Sequence, residues 1–199
     1  MATGESFEAI VLAAGAGSRF GGGKLLAPWQ GGVLIDGALR SAFDAPVRTV
    51  RVVVGADAEK VAAAARHFVE SRNDGRRLRI VEAVDHAEGM GASLRAGARD
   101  LPGDASGVVV FLADMPRVPH AAARASIEAV LDGAQAAAPV FEGQRGHPVA
   151  FAADLIGDLR QASGDAGARD VLKRLGDRLV LIPCEDRGVL YDVDRPEDL

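Results

Sequence analysis

The sequence predicts an α/β protein with a mainly parallel sheet, and two observations support this class. Apolar segments of strand length alternate with helical patterns along most of the 199 residues, which is typical of layered α/β folds. The segment SGVVVFLAD, residues 106–114, is apolar without alternation, as expected for a strand covered on both faces. No repeat and no Pro/Ser-rich linker interrupts this pattern, so residues 1–199 are predicted to form a single domain.

The first half of the chain supplies its elements in a regular order. FEAIVLAAG predicts a buried strand, a long loop follows to about residue 32, and VLIDGALRSAF has helical spacing. RTVRVVVGA predicts a second strand, and Asp57 is predicted to cap the helix that follows it. LRIVEA then predicts a short strand, and GMGASLRAGARD predicts a helix that opens with glycines.

The second half begins with the strand in SGVVVFLAD and continues with the predicted helix PHAAARASIEAVLDG. AQAAAPVFEG and HPVAFA are predicted to be two extended arms around the turn EGQRG. The chain then predicts two helices, ADLIGDLRQA and ARDVLKRLG, and a last strand in DRLVLIPCE. The remaining residues, GVLYDVDRPEDL, carry the acidic pattern considered below.

Composition excludes several classes of protein. The net charge of −5 argues against general nucleic-acid binding, which needs a basic surface. One cysteine, Cys184, excludes an internal disulfide framework and a cysteine-cluster metal site. The amino terminus lacks a secretory pattern, and no apolar run approaches the roughly 20 residues of a membrane helix. We therefore expect a cytoplasmic protein with neither a nucleic-acid nor a membrane partner.

The segment LAAGAGSRFGGGK, residues 12–24, places five glycines directly after a predicted strand. It is neither of two familiar phosphate loops. The dinucleotide fingerprint requires a third glycine where Phe20 stands. The Walker loop requires a glycine at Ser18 and a serine or threonine at Leu25.

A glycine loop after a strand is nevertheless suited to anions. Ligands of α/β sheets bind beyond the carboxyl ends of the strands, and glycines let backbone amides form an anion-binding concavity. Arg19 and Lys24 would then neutralise phosphate oxygens. The alternative is a surface loop whose charges are solvated.

Three carboxylates suggest a metal site. Asp114 follows the apolar strand, and carboxylate oxygens suit Mg²⁺, which usually takes only one or two ligands from protein side chains. The alternative is that Asp114 caps the next helix, with Pro116 in its first turn. Asp192 and Asp194 share a face if their segment is extended. One of them would complete the metal site, and the other would cap a helix that begins near Pro196.

Six segments together resemble one family: LAAGAGSRFGGGK, KLL, GMGASLRAG, LADMP, RGHPVAF and DVDRPEDL. Their order over nearly the whole chain is similar to that in the molybdenum cofactor cytidylyltransferases and related molybdopterin nucleotidyltransferases. The resemblance implies a Rossmann-like three-layer nucleotidyltransferase fold with a mixed, mainly parallel sheet flanked by helices. It also implies transfer of CMP from CTP to the molybdopterin cofactor, with Mg²⁺ and release of pyrophosphate. A recipient molybdoenzyme is a further partner that the resemblance suggests.

The resemblance also implies roles for particular residues. Arg19 and Lys24 are the expected catalytic residues, and Asp114 and Asp194 are the expected metal ligands. The expected nucleotide-binding residues are Leu12, Ala13, Ala14, Gly15, Gly17, Ser18, Gly89 and Ser93. The expected acceptor-binding residues are Gly146, His147 and Pro148. Two alternatives stay open, in which Ser93 is a local helix cap and His147 is a structural histidine of a hairpin.

The family also bears on the choice of nucleotide and on the chemistry. Guanylyl members tend to have LAGG where this chain has LAAG, residues 12–15, which favours cytidine. The acceptor phosphate is already anionic, so the reaction needs no general base, and the sequence offers no convincing nucleophile constellation. Catalysis is then positioning and charge stabilisation.

Three other functions compete with this one. The first is the same transfer to another phosphorylated acceptor, such as a sugar phosphate, lactyl phosphate or isoprenoid precursor. The second is non-catalytic binding and delivery of the molybdenum cofactor. A dehydrogenase is disfavoured, because the dinucleotide fingerprint fails at Phe20.

Overall fold

Strands and helices alternate along the chain in a computed structural model, which describes residues 6–199 apart from the side chain of Arg76. The strands are β1 (Phe7–Ala13), β2 (Pro28–Trp29), β3 (Gly32–Val33), β4 (Thr49–Val54), β5 (Leu78–Glu82), β6 (Gly107–Leu112), β7 (Ala136–Phe141), β8 (Gln144–Arg145), β9 (Val149–Ala152) and β10 (Leu179–Pro183). The α-helices are α1 (Ile35–Asp44), α2 (Ala58–Arg72), α3 (Met90–Arg99), α4 (His120–Leu131), α5 (Ile156–Leu159) and α6 (Arg169–Leu175).

Eight of these strands form one mixed sheet in the order β10-β7-β9-β6-β1-β4-β5, with the short β8 paired to β7. β1 lies between β4 and β6 and is parallel to both. β9 is antiparallel to its neighbours β6 and β7. The predicted Rossmann-like architecture, a mainly parallel mixed sheet flanked by helices, is therefore confirmed.

Helices cover both faces of the sheet, and β1 shows how its side chains divide between them. Phe7, Ala9 and Val11 pack into a core cluster with α1, α2 and α4. Ile10 packs into the opposite cluster with α3, α5 and α6. Successive side chains of a strand point to opposite faces, so a strand buried on both faces is apolar at nearly every position.

One buried position of β1 is charged. Glu8 is fully buried, and its carboxylate accepts hydrogen bonds from Arg48 Nε at 2.7 Å and from the hydroxyl of Thr49. The outer nitrogens of Arg48 contact the exposed Asp104. A buried charge is tolerated only when it is paired and hydrogen-bonded, and this network meets that requirement.

The structure corrects three details of the predicted elements. The loop predicted to run to about residue 32 instead ends in β2, which pairs with β3 as an antiparallel ribbon. Asp57 precedes α2 but has a left-handed φ of 54° and makes no capping bond, so its predicted cap is wrong. Its carboxylate instead contacts Lys60 at 3.2 Å. Capping residues normally have extended backbone, which presents their oxygen to the first amides of the helix.

The third correction concerns the turn EGQRG, which is shorter than predicted. Gln144 and Arg145 pair with β7 as strand β8, and only Glu142 and Gly143 form the turn. Both have positive φ, 48° and 78°, as a two-residue hairpin with the twist of its strands requires. The hairpin therefore carries Arg145 back towards the sheet before β9 begins.

The carboxyl-terminal segment, residues 188–198, crosses the carboxyl ends of the central strands. The amide of Val193 donates to the carbonyl of Asp114 at 3.0 Å, and the amide of His147 donates to the carbonyl of Val189 at 2.9 Å. These contacts bring the acidic end of the chain to the edge of the sheet where β1 and β6 end. Among the described residues, no helix combines the length and apolar character needed to cross a bilayer.

Candidate active site

The carboxyl ends of β1 and β6 open onto a cleft of about 360 Å³. Ligands of open α/β sheets occupy this position. Ten residues line the cleft: Leu12, Ala14, Gly15, His86, Gly89, Met90, Ser93, Leu112, Asp114 and Asp165. Five of them are predicted nucleotide-binding residues, and Asp114 is a predicted metal ligand. The structure therefore brings these distant sequence motifs to one place.

The predicted nucleotide-binding residues divide into three groups. Leu12, Ala14, Gly15, Gly89 and Ser93 line the main cleft. Gly17 and Ser18 line an adjoining pocket of about 230 Å³. Ala13 lies apart from both, because its side chain packs into the core cluster with α1, α2 and α4, whereas Ala14 packs into the cluster on the opposite face.

The glycine loop has a conformation that requires its glycines. Gly17, Gly21, Gly22 and Gly23 all have positive φ, between 60° and 94°, where residues with a Cβ are strained. A Cβ on Gly17 would also lie 2.9 Å from the Cβ of Lys24. The loop therefore folds back on itself and brings Lys24 to the edge of the sheet.

Four charged side chains meet beside this loop. Lys24 Nζ lies 2.7 Å from Asp114 Oδ2 and 3.7 Å from Asp194 Oδ1, and Arg19 contacts Asp194 Oδ2 at 2.9 Å. The Lys24 side chain is only 11% exposed, whereas that of Arg19 is 74% exposed. Two unit charges 4 Å apart interact by roughly 4 kcal/mol at an effective dielectric near 20. The partly buried ammonium of Lys24 therefore lies close enough to interact with both carboxylates, and within the described part of the chain the exposed Arg19 pairs with Asp194 alone.

The helix-capping alternatives for the two aspartates are wrong. The residue that precedes α4 is Pro119, and Asp114 lies well before it. Near the carboxyl terminus, the carboxylate of Asp198 accepts from the amides of Asp194 and Arg195 at 3.0 and 2.8 Å. The Asp194 carboxylate therefore faces Lys24 and Arg19 instead of a helix end.

The pair of Asp114 and Asp194 is chemically suited to a divalent cation. No cluster of three or more metal-ligating side chains occurs within residues 6–199. Mg²⁺ does not require one, because it usually binds one or two carboxylates together with water and substrate phosphates. Two hard oxygen donors beside an anion-binding loop fit that pattern.

The opposite wall of the cleft is the start of α3. Gly89 precedes the helix with φ of 113°, and a Cβ there would lie 2.3 Å from Asp165 Oδ1. Ser93 lies inside the first turns of α3, 5% exposed and facing the cleft, so it is not a local cap. The amino terminus of a helix favours negative charge and polar ligand edges.

Four lining residues, His86, Met90, Leu112 and Asp165, were missed by sequence reasoning, and His86 and Asp165 are the two polar ones. His86 Nδ1 lies 3.0 Å from the carbonyl of Ala83, which orients the ring at the cleft. The sequence signal for His86 is its position just before the Gly89 motif. Asp165 has no comparable signal, because it comes from a loop that only the fold brings over Gly89.

The predicted acceptor motif lies at the same edge of the sheet. Val149 pairs with Val110 in antiparallel register, so the residues before β9 lie beside the carboxyl end of β6. A Cβ on Gly146 would fall 2.3 Å from the carbonyl oxygen of Val189, and only glycine permits this approach. Pro148 is buried. None of the three motif residues lines the 360 Å³ cleft itself.

His147 has an unusual environment. The residue as a whole is half-buried, but Nδ1 is buried and has no hydrogen-bond partner among the described residues. Burial lowers the pKa of His147 to about 4, and the positive charges of Arg145 and Arg169 act in the same direction. The imidazole is therefore neutral at physiological pH, with two guanidinium groups nearby that sequence reasoning did not include.

This fold and this charged cleft define a class, the nucleotidyltransferases of Rossmann-like fold. The chain belongs to the family of the MobA-like NTP transferase domain, whose family model matches residues 9–179.

Individual relatives carry different names. The chain is 33% identical to nicotine blue oxidoreductase of Paenarthrobacter nicotinovorans, with 96% of this chain and 93% of that protein covered. It is 23% identical to molybdenum cofactor cytidylyltransferase of Escherichia coli K12, with 97% and 93% covered. Among solved structures, Rv0371c of Mycobacterium tuberculosis H37Rv superposes with a TM-score of 0.82 at 25% identity, covering 98% of this chain and 96% of that one. A second structure of that protein is a complex with manganese, with a TM-score of 0.77, 25% identity and 98% and 95% covered.

Proposed function

We propose that this protein transfers CMP from CTP to the terminal phosphate of the molybdenum cofactor and releases pyrophosphate. One observation carries the proposal: Lys24 Nζ lies within 4 Å of the carboxylates of both Asp114 and Asp194, beside a glycine loop and a 360 Å³ cleft. That arrangement offers cationic groups and backbone amides to a triphosphate and carboxylates to a divalent cation. The protein is proposed to act as one domain, residues 1–199, in the cytoplasm.

Each charged group has a distinct task in this proposal. Arg19 and Lys24 bind phosphate oxygens, Arg19 through a planar fork and Lys24 as a point charge. Asp114 and Asp194 would hold Mg²⁺. When bound, the metal ion stabilises the negative charge that develops on the transferring phosphoryl group. The manganese complex of a similar protein supports a divalent cation in this fold.

The chain itself needs to supply no general base. The acceptor phosphate is already an anionic nucleophile, so its attack on the α-phosphorus of CTP requires alignment and charge stabilisation. The walls of the cleft provide the alignment. Ala14 and Ser93 flank the space proposed for the cytidine, and the amino terminus of α3 faces its polar edge.

The acceptor is proposed to bind Gly146, His147 and Pro148. Arg145 and Arg169 add positive charge to that area, which favours an acceptor that carries a phosphate. A neutral imidazole carries one donor and one acceptor nitrogen, and because Nδ1 of His147 is buried, contact with a pterin or a phosphate would be made through Nε2. The name of the Escherichia coli relative supports the molybdenum cofactor as this acceptor, and a molybdoenzyme is then the proposed recipient of the product.

The relative from Paenarthrobacter favours a second candidate, an oxidoreductase that acts on nicotine blue, because its identity to this chain is the higher of the two at 33%. Two further alternatives share the present fold. One is nucleotidyl transfer to another phosphorylated acceptor, and the other is binding and delivery of the molybdenum cofactor without catalysis.

A screen of nucleotides against acceptors separates these candidates. CTP or GTP is incubated with Mg²⁺ and either molybdenum cofactor or a panel of sugar and isoprenoid phosphates, and pyrophosphate is measured. Pyrophosphate release that requires both CTP and the molybdenum cofactor supports the proposal. Pyrophosphate release with a different acceptor instead supports nucleotidyl transfer to that acceptor. A parallel assay follows the colour of nicotine blue with reduced nicotinamide nucleotides. Colour loss without any pyrophosphate release favours the oxidoreductase, whereas cofactor binding without either reaction favours delivery.

A further inference from the structure

Arg117 stacks against two aromatic rings next to the charged site. Its guanidinium carbon lies 5.2 Å from the ring centroid of Trp29 and 4.1 Å from that of Tyr191. The two rings are themselves 6.3 Å apart. Arg117 forms no ion pair with a carboxylate within residues 6–199, so its described electrostatic contacts are with these two rings. Cation–π contacts of this kind are most favourable with tryptophan and tyrosine.

The three side chains come from the three segments that carry the proposed site. Trp29 lies in β2, just after the glycine loop, and is 9% exposed in a small cluster with Leu34 and Val193. Arg117 follows Asp114 by three residues, and Tyr191 precedes Asp194 by three residues. The stack therefore connects the backbone segments that carry Lys24, Asp114 and Asp194, although none of these three residues is part of the stack.

Backbone contacts tie the same segments together. The amide of Val193 donates to the carbonyl of Asp114 at 3.0 Å. A Cβ on Gly188 would lie 2.1 Å from the carbonyl oxygen of Arg117. The backbone segments that contain these two residues therefore approach more closely than any residue other than glycine would allow. The hydroxyl of Tyr191 also donates to the carbonyl of Asp198, the residue whose carboxylate holds the amide of Asp194.

We propose that Arg117 is a positioning residue that holds the carboxyl-terminal segment against the loop after β6 and so keeps Asp194 opposite Asp114. The consequence of this positioning for catalysis rests on the proposed function, whereas the effect of Arg117 on the position of the carboxyl-terminal segment does not. Arg117 acts through Trp29 and Tyr191 and touches neither carboxylate.

Hydrogen exchange of the Val193 amide tests the effect on the segment in the protein alone. We expect Arg117→Ala to accelerate this exchange about 5- to 30-fold, the factor that a cation–π contact supports when it is partly to fully desolvated. Arg117→Lys keeps a cation over the rings and is expected to restore exchange to near the wild-type rate. The matched control is Arg72→Ala, because Arg72 lies 5.5 Å from the Phe68 ring at the far end of α2. That helix starts beside the glycine loop and ends about 22 Å away, so the control should leave Val193 unchanged.

A second measurement separates this inference from the proposed function. In the pyrophosphate assay, we expect Arg117→Ala to raise the Mg²⁺ concentration for half-maximal rate several-fold more than it raises KM for CTP. Unchanged exchange at Val193 in Arg117→Ala overturns the inference, and so does equal acceleration of amides throughout the sheet. If wild-type protein releases no pyrophosphate while Val193 responds as expected, the proposed function fails and the positioning role of Arg117 stands.

Discussion

The ammonium of Lys24 lies 2.7 Å from the carboxylate of Asp114, although 90 positions of sequence separate the two residues. Lys24 reaches this point because the glycine loop folds back over the end of β1, and Asp114 because it follows β6, the neighbouring parallel strand. The carboxyl ends of adjacent parallel strands lie at one edge of a sheet. The ion pair is therefore a direct product of the topology, and the first two predictions below concern its members.

Asp114→Asn is expected to lower the rate of pyrophosphate release at least about 100-fold, because a bound metal ion contributes several kcal/mol of transition-state stabilisation. The substitution is nearly isosteric, so the melting temperature should stay within about 4 °C of wild type. Asp194→Asn should have a smaller effect, because the Asp194 side chain is 43% exposed against 28% for Asp114 and charge interactions are weaker where water screens them. Asp132→Asn, an exposed residue after α4, is the control. Near-normal rates in Asp114→Asn contradict the metal assignment.

Lys24→Met is expected to reduce kcat about 10²- to 10³-fold, comparable to removal of one preorganised donor from a transition-state site. Arg19→Ala should reduce kcat without loss of stability, because Arg19 is 74% exposed and exposed pairs stabilise little. Steady-state kinetics and thermal melting measure both effects. Lys173→Met, at an exposed position of α6, should behave as wild type. If Lys24→Met and Arg19→Ala both retain full activity, the glycine loop is an ordinary surface turn.

The choice of nucleotide is tested at Ala14. We expect kcat/KM for CTP to exceed that for GTP at least about 10-fold, equivalent to about 1.4 kcal/mol. Ala14→Gly removes a methyl group from the cleft wall and should narrow this preference. Ala13→Gly is the matched control, because both alanines are 2% exposed but only Ala14 lines the cleft. A wild-type preference for GTP assigns the protein to the guanylyl branch, and equal shifts in both variants show that strand stability is responsible.

His147 gives the stability of the protein a specific pH dependence. Its pKa is lowered to about 4 in the folded protein by burial, against about 6.5 in an unfolded chain. Between these values the unfolded state binds more protons, so stability falls as pH decreases. The loss between pH 7.5 and pH 5 is roughly 2 kcal/mol. The free energy of unfolding, measured with urea at both pH values, should not show this loss in His147→Gln, whereas the exposed His67→Gln should show it as wild type does. The same change in unfolding free energy between the two pH values for wild type and His147→Gln contradicts the prediction.

The ion pair between the buried Glu8 and Arg48 leads to a prediction for the stability of the core. Arg48→Met leaves the Glu8 carboxylate buried with only the hydroxyl of Thr49, and we expect a loss of roughly 3 kcal/mol in unfolding free energy. Asp104→Asn removes only the exposed outer contact of Arg48 and should change stability little. Chemical denaturation measures both variants. Equal effects would show that Glu8 is solvated in the folded protein.

The fold was predictable from sequence because its main signals are local. The uninterrupted apolar character of β6 and the glycines at the start of α3 are properties of short segments. The left-handed glycines of residues 17–23 also follow from sequence, since such a density of glycine has few other uses. The different positions of Ala13 and Ala14 were also predictable, because successive side chains at the end of a strand point to opposite faces of the sheet.

The remaining features depend on contacts between distant segments. Asp165 reaches the cleft only because its loop packs over Gly89, and Arg117 meets Trp29 and Tyr191 only after the carboxyl-terminal segment crosses the sheet. Periodicity carries no information on such pairs. Asp57 failed as a cap for a related reason, since its left-handed backbone is set by the tight connection from β4 into α2.

The ion pair of Lys24 and Asp114 has a consequence for the order of binding. In the protein alone, the carboxylate of Asp114 is already paired with the ammonium of Lys24, a positive charge that is tethered to the chain. A tethered counterion returns without losing translational freedom, so it competes at a high effective concentration with any ion from solution. In the proposed reaction, a triphosphate would offer Lys24 other anionic oxygens and thereby free the carboxylates. On that proposal, Lys24 favours a sequence of events in which the cation arrives with the nucleotide and not ahead of it.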